Sequence, residues 1–302
     1  MKKNISLSAR SNISLFFLLI GITLIVKILF NMIAIGFIQK IWDLNSLEIY
    51  NDLQSHKFKF IYAHKALAFF DQLGTFLIPS TLFLLIIKSI SVNYSIQIKK
   101  DGLKIFLYFF ILLGIAQLLL LISSIIEYDF LPQSVQDFLI NQQEFNTKLQ
   151  QGFISKGISS FIFNILLLAI IPAIGEELFF RGILQKICIR LFKNNSAGII
   201  ITSFVFGLLH FQIENLLSII FASILLGYIY EYSENLLLTI LLHFGFNSFS
   251  LFCMQGIESG YLSERELDLL GNYIIVPLGI VVSLYVIFRK IFWVKNLLLP
   301  ID

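Results

Sequence analysis

The chain has 302 residues, of which 57% are hydrophobic and 14% are charged, with a formal net charge of +3. Soluble domains carry about 25% charged residues, so this composition excludes an ordinary soluble domain and predicts an all-α, polytopic integral membrane bundle. The small net charge argues against a nucleic-acid-binding surface, and the two cysteines are too few for a disulfide framework. We therefore expect membrane lipid, and no nucleic acid, among the partners of the protein.

Eight apolar segments in the sequence approach the length of a membrane-spanning helix, which is about 20 residues. The first segment follows the basic start Met1-Lys2-Lys3 and has no small-residue cleavage site, so we expect a retained span and not a signal peptide. The fifth, sixth and seventh segments are short for a span. In chain order, the segments are Ile13–Ile38, Ala66–Ile87, Ile105–Ile126, Ile158–Phe192, Ala197–Phe211, Leu216–Tyr230, Leu236–Phe252 and Tyr273–Phe288.

The positions of lysine and arginine predict the orientation of the spans, because these residues are enriched in cytoplasmic loops. They cluster at both termini, between the second and third segments, and between the fourth and fifth, which places both termini inside. The first external loop is also basic and is the exception to this pattern. The four clusters are Lys2, Lys3 and Arg10; Lys88, Lys99, Lys100 and Lys104; Lys186, Arg190 and Lys193; and Arg289, Lys290 and Lys295.

The external stretch Leu131–Ile154 contains apolar residues spaced among glutamine and asparagine at nearly helical intervals. This pattern favours a helix lying at the membrane interface. A substrate-binding element is the alternative interpretation of the same stretch.

Two adjacent carboxylates, Glu176 and Glu177, interrupt the apolar fourth segment, and Arg181 follows them. Each ionisable side chain at membrane depth costs about 3 kcal/mol on insertion scales, so this pair requires a partner or a function. Glu177 precedes Arg181 by four residues, the favourable order for an ion pair within one helix. We therefore expect Glu176 to face a cavity, whereas Glu177 pairs with Arg181; a purely structural ion pair is the alternative for Glu177.

Three further polar residues, His210, His243 and Asn247, lie in equally apolar segments. Counting 1.5 Å of helix rise per residue from the connecting turns places Glu176, His210 and Asn247, on three separate helices, within about two turns of one level. His243 and Asn247 are four residues apart and share one helix face. Taken singly, His210 could be an interface histidine and the other two could be interhelical contacts, but their joint occurrence predicts a buried active site.

Two other polar residues, Lys27 and Asp71, also fall within predicted spans. We expect Lys27 to extend toward the membrane surface or to pair with a carboxylate, and not to take part in chemistry. Asp71 lies near the start of its helix, where it can face the external interface.

Three ordered motifs in the sequence resemble those of the CAAX-protease and bacteriocin-processing (CPBP, or Abi) family, which includes the type II CAAX prenyl endopeptidases. The motifs are Glu176-Glu177-x-x-x-Arg181, Phe206-x-x-x-His210 and His243-x-x-x-Asn247. They lie in a core that we place at residues 158–255. The predicted division of the chain then has N-terminal helices and an external loop at 1–157, this peptidase core, and an external loop with a C-terminal helix at 256–302.

The resemblance implies a glutamic-type intramembrane endopeptidase that hydrolyses a peptide bond in a membrane-associated or lipidated peptide or protein. It implies that Glu176 is the general base and that His210 helps to hold the attacking water. His243 and Asn247 would stabilise the oxyanion of the tetrahedral intermediate. The resemblance implies no cofactor and no metal ligands.

The resemblance also implies supporting roles for Glu177, Arg181 and Phe206, which organise the first two motifs. The short basic N-terminus and the lack of targeting elements favour a multi-pass protein of a bacterial plasma membrane.

Three alternative functions stay open at this point. A zinc peptidase could use the two histidines and a glutamate as ligands, although the His-Glu-x-x-His signature is absent. A transporter or proton relay could use buried glutamate and histidine, although no inverted repeat is visible. A proteolytically silent relative could act as a membrane binding partner or regulator, as an immunity-type protein does.

Overall fold

The computed structural model describes residues 12–55, 58–88, 90, 92–93, 98–125, 132–154, 157–213 and 215–298. Across these ranges the regular secondary structure is helical throughout, which confirms the predicted all-α class. The helices are α1 (Asn12–Trp42), α2 (Ser46–Gln54), α3 (Ile61–Ile86), α4 (Ile98–Ile125), α5 (Gln133–Phe153), α6 (Ile158–Phe192), α7 (Asn195–Leu208), α8 (Leu216–Ser233), α9 (Leu236–Glu258) and α10 (Glu264–Phe288, continuing to Leu298).

Seven of the described helices are long and apolar enough to cross a membrane, namely α1, α3, α4, α6, α8, α9 and α10. The protein is therefore a polytopic helical membrane protein, as its composition predicts. The orientation with both termini inside stays a prediction, and the N-terminal basic residues Lys2, Lys3 and Arg10 lie outside the described residues.

The predicted fifth segment, Ala197–Phe211, forms the shorter helix α7, which has 14 residues. Its start is fixed by Asn194, whose side-chain oxygen accepts a hydrogen bond from the backbone N–H of Ala197 at 2.9 Å. After α7 ends, Phe211 adopts a positive φ of 50°, which is uncommon for a bulky residue and marks a tight turn. These two local features make α7 shorter than the seven helices that are long enough to cross a membrane.

Four stretches of the long helices have the wider π-helical turn, and three of them are followed by a proline. In α3, α6 and α10 the π segments Leu73–Leu77, Leu166–Ile170 and Gly271–Ile275 end two residues before Pro79, Pro172 and Pro277. A proline has no N–H for the carbonyl four residues before it, so the local helical hydrogen bonding must change. The fourth π segment, Leu178–Leu184, carries Arg181 and has no such proline.

Close packing of α3 against α6 positions the N-terminal half of the chain beside the first motif. A Cβ atom added at Gly175 would lie 3.3 Å from the backbone nitrogen of Leu77 and 3.3 Å from Cβ of Phe76. The ring of Phe76 also lies 5.6 Å from that of Phe179 and 5.7 Å from that of Phe180, centroid to centroid. Glycine at position 175 thus allows a close backbone approach, which a larger side chain would crowd.

A similar approach joins the C-terminal helix to the bundle. A Cβ atom added at Gly114 of α4 would lie 2.6 Å from Cα of Gly279 in α10. A Cβ atom added at Gly279 would likewise lie 2.6 Å from Cα of Gly114. Helices in a bilayer associate through small residues of this kind, because lipid is as apolar as the side chains.

The connection from α2 to α3 is organised by the buried carboxylate of Asp52. This side chain accepts hydrogen bonds from the backbone N–H groups of Lys59 and Phe60, each at 3.0 Å, and lies 2.9 Å from Nε2 of His64. Burial raises the pKa of the Asp52 carboxyl, but the hydrogen bonds from Phe60, His64 and Lys59 outweigh this effect, so the pKa lies below its usual value. The charged form of Asp52 therefore stabilises this connection.

Helix α5 occupies most of the predicted amphipathic stretch, of which Leu131 lies outside the described residues. Its C-terminal end packs on α3, because a Cβ added at Gly152 would lie 2.9 Å from Cδ1 of Ile61. The side-chain amide of Asn146 donates to the carbonyl oxygen of Phe211 at 3.2 Å. Helix α5 thus contacts the turn that follows His210.

Candidate active site

Glu177 and Arg181 form the buried ion pair that their four-residue spacing predicts. Nη1 of Arg181 lies 2.9 Å from Oε1 of Glu177, and the two side chains are 1% and 0% exposed. Nη1 is outside hydrogen-bond geometry with that oxygen, so their attraction is mainly between charges. Nη2 of Arg181 instead donates to Oγ and to the backbone oxygen of Ser223, at 2.9 Å and 3.1 Å. Arg181 therefore connects α6 to α8 as well as balancing the charge of Glu177.

His243 reaches the same carboxylate from α9. Its Nδ1 atom lies 2.9 Å from Oε1 of Glu177, and because a carboxylate can only accept, Nδ1 must carry the hydrogen. The other ring nitrogen, Nε2, lies 4.0 Å from Oε2 of Glu176. Glu177 thus contacts a motif residue of another helix, and it is more than the partner of Arg181.

His210, just after the end of α7, also approaches Glu176. Its Nδ1 atom lies 2.7 Å from the carbonyl oxygen of Phe206, which again fixes the hydrogen on Nδ1. Its Nε2 atom lies 3.9 Å from Oε2 of Glu176, and its side chain is 28% exposed. Two imidazole Nε2 atoms therefore converge on one carboxylate oxygen, and in the neutral rings both are acceptors.

Glu176 itself is almost completely buried, with 6% of its side chain exposed. Its Oε2 atom has no hydrogen-bond partner among the described residues, although nearly all buried polar atoms in proteins have one. The gaps of 3.9 Å and 4.0 Å to the histidines are too long for direct hydrogen bonds. The arrangement is suited to a small polar molecule that hydrogen-bonds to the carboxylate and to an imidazole at once.

Phe206 lies at the centre of this group. Its ring centroid is 4.4 Å from that of His210 and 6.0 Å from that of His243. Cζ of Arg181 lies 4.9 Å from the same centroid, which is a cation–π contact. Phe206 therefore shapes one side of the space around both histidines.

Asn247, one turn after His243, donates from Nδ2 to the carbonyl oxygen of Leu168 at 3.3 Å. In a regular helix this oxygen would accept from the N–H of residue 172, which is a proline without an N–H. Asn247 thus supplies a side-chain donor to a carbonyl group in the π segment before Pro172. An amide NH₂ group has two hydrogens, so this contact orients Asn247 and leaves its second hydrogen for another acceptor.

Two residues that the sequence reasoning missed also contact the motif residues. Gln72 of α3 donates from Nε2 to Oε1 of Glu176 at 3.4 Å, and Ser223 of α8 accepts from Arg181 as described above. Both are polar residues in apolar helices, which is the signal that could have found them.

The neighbour of Gln72, Asp71, belongs to a different polar contact. Its Oδ1 atom lies 2.7 Å from Nζ of Lys27, which also donates to Oγ1 of Thr75 at 3.0 Å. Lys27 thus pairs with a carboxylate, one of the two outcomes expected for it, and ties α1 to α3.

Within the described part of the chain, no group of three or more histidine, cysteine, aspartate or glutamate side chains has the arrangement of a metal site. Chelation tests the zinc alternative directly.

Residues 158–249 match the family described as Type II CAAX prenyl endopeptidase Rce1-like. The match spans a little under a third of the chain and includes all three motifs. Comparison with curated proteins and with solved structures gave no match. The family resemblance predicted from the motifs is thus confirmed for this segment.

Proposed function

We propose that this chain, whose residues 158–249 match the Rce1-like family, is an intramembrane endopeptidase that activates water with Glu176 and His210. Its substrate is a peptide or protein held at the membrane, including lipidated ones. The observation that carries the proposal is the convergence of two imidazole Nε2 atoms, 3.9 Å and 4.0 Å away, on the buried and unpartnered Oε2 of Glu176.

The first step follows from the hydrogen positions on the two rings. A water between Glu176 and His210 donates one hydrogen to Oε2 and the other to Nε2, since both atoms are acceptors. As the water oxygen forms a bond to the carbonyl carbon of the substrate, its proton moves to Glu176 and the carbonyl oxygen becomes an oxyanion. General base catalysis of this kind contributes about 10²–10⁴-fold to a rate.

Stabilisation of the oxyanion is assigned to Asn247 and His243. Asn247 donates through the hydrogen that its contact with Leu168 leaves unused. His243 can donate from Nε2 only when both ring nitrogens carry hydrogen, and Nδ1 then keeps its contact with the carboxylate of Glu177. The carbon–nitrogen bond breaks when Glu176 returns its proton to the leaving amine, which restores the carboxylate.

The proposed location of the protein is a bacterial plasma membrane, where it is a multi-pass protein.

The proposed reaction uses no metal and no cofactor. Zinc dependence is tested by chelation of the purified protein. Activity that is lost on chelation and restored by zinc would replace the proposed water activation with metal-assisted hydrolysis.

The central experiment compares the membrane peptides of cells that express the wild type with those of cells that express Glu176→Gln. We expect peptides or precursors to accumulate in the variant, because an amide cannot take the proton of the attacking water. A matched control is Glu231→Gln, which changes a glutamate that accepts a hydrogen bond from Asn195 on the neighbouring helix α7. The membrane peptides of cells that express this control should match those of cells that express the wild type.

The same comparison tests the silent-regulator alternative. If Glu176→Gln and His210→Ala keep the full biological function and leave the peptide profile unchanged, the protein acts without proteolysis and the proposed function is wrong. Equal melting temperatures of wild type and Glu176→Gln in detergent show that the variant is folded.

A further inference from the structure

Gln72 brings the N-terminal half of the protein, which carries none of the three motifs, into the candidate active site. Its Nε2 atom donates to Oε1 of Glu176 at 3.4 Å, across 104 residues of sequence. Oε1 and Oε2 are the two oxygens of the same carboxylate, and the two histidines converge on Oε2. Gln72 therefore holds one oxygen of the carboxylate, and the histidines face the other.

The backbone around Gln72 is held close to Glu176 by direct packing. Gln72 is the last residue before the π segment Leu73–Leu77, and Leu77 lies against Gly175, the immediate neighbour of Glu176. The rings of Phe76 in α3 and Phe179 in α6 add a further contact between these two helices. The amide donor is thus attached to a part of α3 whose distance from α6 is fixed.

The amide of Gln72 is only half satisfied. Its Oε1 atom is buried and has no hydrogen-bond partner among the described residues, and the contact with Glu176 is the hydrogen bond that the side chain makes there. An unsatisfied buried polar atom is destabilising, and an apolar side chain at position 72 would avoid it. The amide thus has no evident stabilising role beyond its contact with the carboxylate.

We propose that Gln72 is a positioning residue that holds the carboxylate of Glu176 so that Oε2 points between His210 and His243. This inference rests on the proposed function and adds a residue from outside the matched segment. The terminal torsion of a glutamate side chain is soft, with broad, two-fold preferences. A donor fixed on Oε1 restricts that rotation, and a carboxylate that rotates freely spends less time in the geometry needed for proton transfer.

The first test replaces Gln72 by methionine, which has a similar length and no hydrogen-bond donor of its own. We expect kcat to fall about tenfold, which corresponds to ~1.4 kcal/mol of lost transition-state stabilisation, with KM unchanged. The matched control is Gln117→Met, because Gln117 is also a half-buried amide in an apolar helix and donates to Asn272 at 3.3 Å. The control should keep the wild-type kcat.

A second variant, Gln72→Glu, keeps the shape of the side chain but replaces its donor by a carboxyl group. At neutral pH it should be slower than Gln72→Met, because two carboxylates then face each other. Its kcat relative to that of Gln72→Met should recover as the pH falls, because a protonated carboxyl group can donate to Glu176. A merely structural role for Gln72 would not produce this recovery.

A readout independent of cleavage is the labelling of Glu176 by an apolar carbodiimide, which reacts with protonated carboxyl groups and is quantified by peptide mass spectrometry. Gln72→Met leaves the charged and titratable groups near Glu176 in place, namely Glu177, Arg181, His210 and His243. Because the substitution removes the side-chain donor on Oε1, we expect the carbodiimide to label Glu176 more extensively in Gln72→Met than in the wild type at the same pH.

These measurements separate failure of this inference from failure of the proposed function. A wild type that cleaves no peptide, combined with increased labelling of Glu176 in Gln72→Met, would refute the peptidase and support the contact. A wild type that cleaves, combined with unchanged kcat and unchanged labelling in Gln72→Met, would overturn the positioning role while the peptidase stands.

Discussion

Nδ1 of His243 lies 2.9 Å from Oε1 of Glu177, the same oxygen that lies 2.9 Å from Nη1 of Arg181. One carboxylate oxygen therefore both fixes the hydrogen on a motif histidine and neutralises a buried guanidinium. This geometry gives Glu177 a role in the site in addition to the ion pair. It also makes the stability of the protein depend on three residues at once.

Arg181→Gln should strongly reduce the melting temperature and the yield of folded protein in detergent. Removing one partner of a buried pair leaves an uncompensated charge and typically costs about 3–5 kcal/mol. The double variant Arg181→Gln with Glu177→Gln should recover part of this loss, since neither charge is then buried. Equal stability of the wild type and Arg181→Gln would contradict the importance of this pair.

The control for that experiment is the exposed pair of Glu144 and Lys148 on α5, which has the same four-residue spacing. Exposed helical pairs contribute only about 0.3–0.5 kcal/mol. Lys148→Gln should therefore leave the melting temperature close to that of the wild type.

Phe206→Leu should lower kcat about tenfold and leave most of the protein folded. Leucine fills part of the volume but loses the cation–π contact with Arg181 and the ring contact that limits the orientation of His210. Initial rates of the detergent-solubilised enzyme measure the effect. Phe161→Leu removes a comparable ring pair, with Phe252 at 4.9 Å, and should keep the wild-type rate; a similar loss in both variants would argue against a specific role of Phe206.

Asn247→Ala should lower kcat by about 10²–10³, as loss of an oxyanion donor does, and should also reduce stability because the carbonyl oxygen of Leu168 loses its partner. The two effects can be separated by adding Pro172→Ala, which restores a backbone N–H within reach of that oxygen. The double variant should regain melting temperature relative to Asn247→Ala, but not kcat. Recovery of both would mean that Asn247 acts only as a structural contact.

Asp52→Asn should destabilise the protein at neutral pH by about 2 kcal/mol, because it weakens hydrogen bonds to a charged group. The pKa of Asp52 is lowered in the folded state, so its contribution is present above the pKa of the unfolded chain, about 3.9, and is lost as pH falls through the lower folded value. Melting temperatures measured from pH 7 down to about 3 should therefore converge for the two proteins. A constant difference across this range would contradict the role of the charge.

The parts of the site that could be predicted from sequence are those set by regular helix geometry. Glu177 and Arg181 share one helix, so their spacing alone predicts their contact. Glu176, His210 and His243 lie on helices joined by short turns, and the rise per residue gives their depths. The membrane class followed from the lack of charge.

The remaining features depend on packing between distant segments. Gln72 reaches Glu176 only because Gly175 allows α3 and α6 to approach, and no local pattern encodes that pairing. The sequence around Pro172 shows that the carbonyl of Leu168 needs a new partner, but not that Asn247 supplies it. The predicted bounds of the short fifth segment, Ala197–Phe211, also differ from those of α7, Asn195–Leu208, because an apolar average does not register the cap at Asn194 or the turn at Phe211.

The shortness of α7 has a consequence for how water reaches the scissile bond. Its 14 residues extend about 21 Å at 1.5 Å per residue, whereas the hydrocarbon layer is about 30 Å thick. If the basic turn at Lys193 lies at one surface, as the predicted orientation places it, the end that carries His210 would stop below the other surface. Exposed backbone at such depth is tolerated only where protein covers it or an aqueous opening lies beside it. We expect hydration to enter the bilayer there, so the missing turns of this helix fix how deep a peptide can be cut.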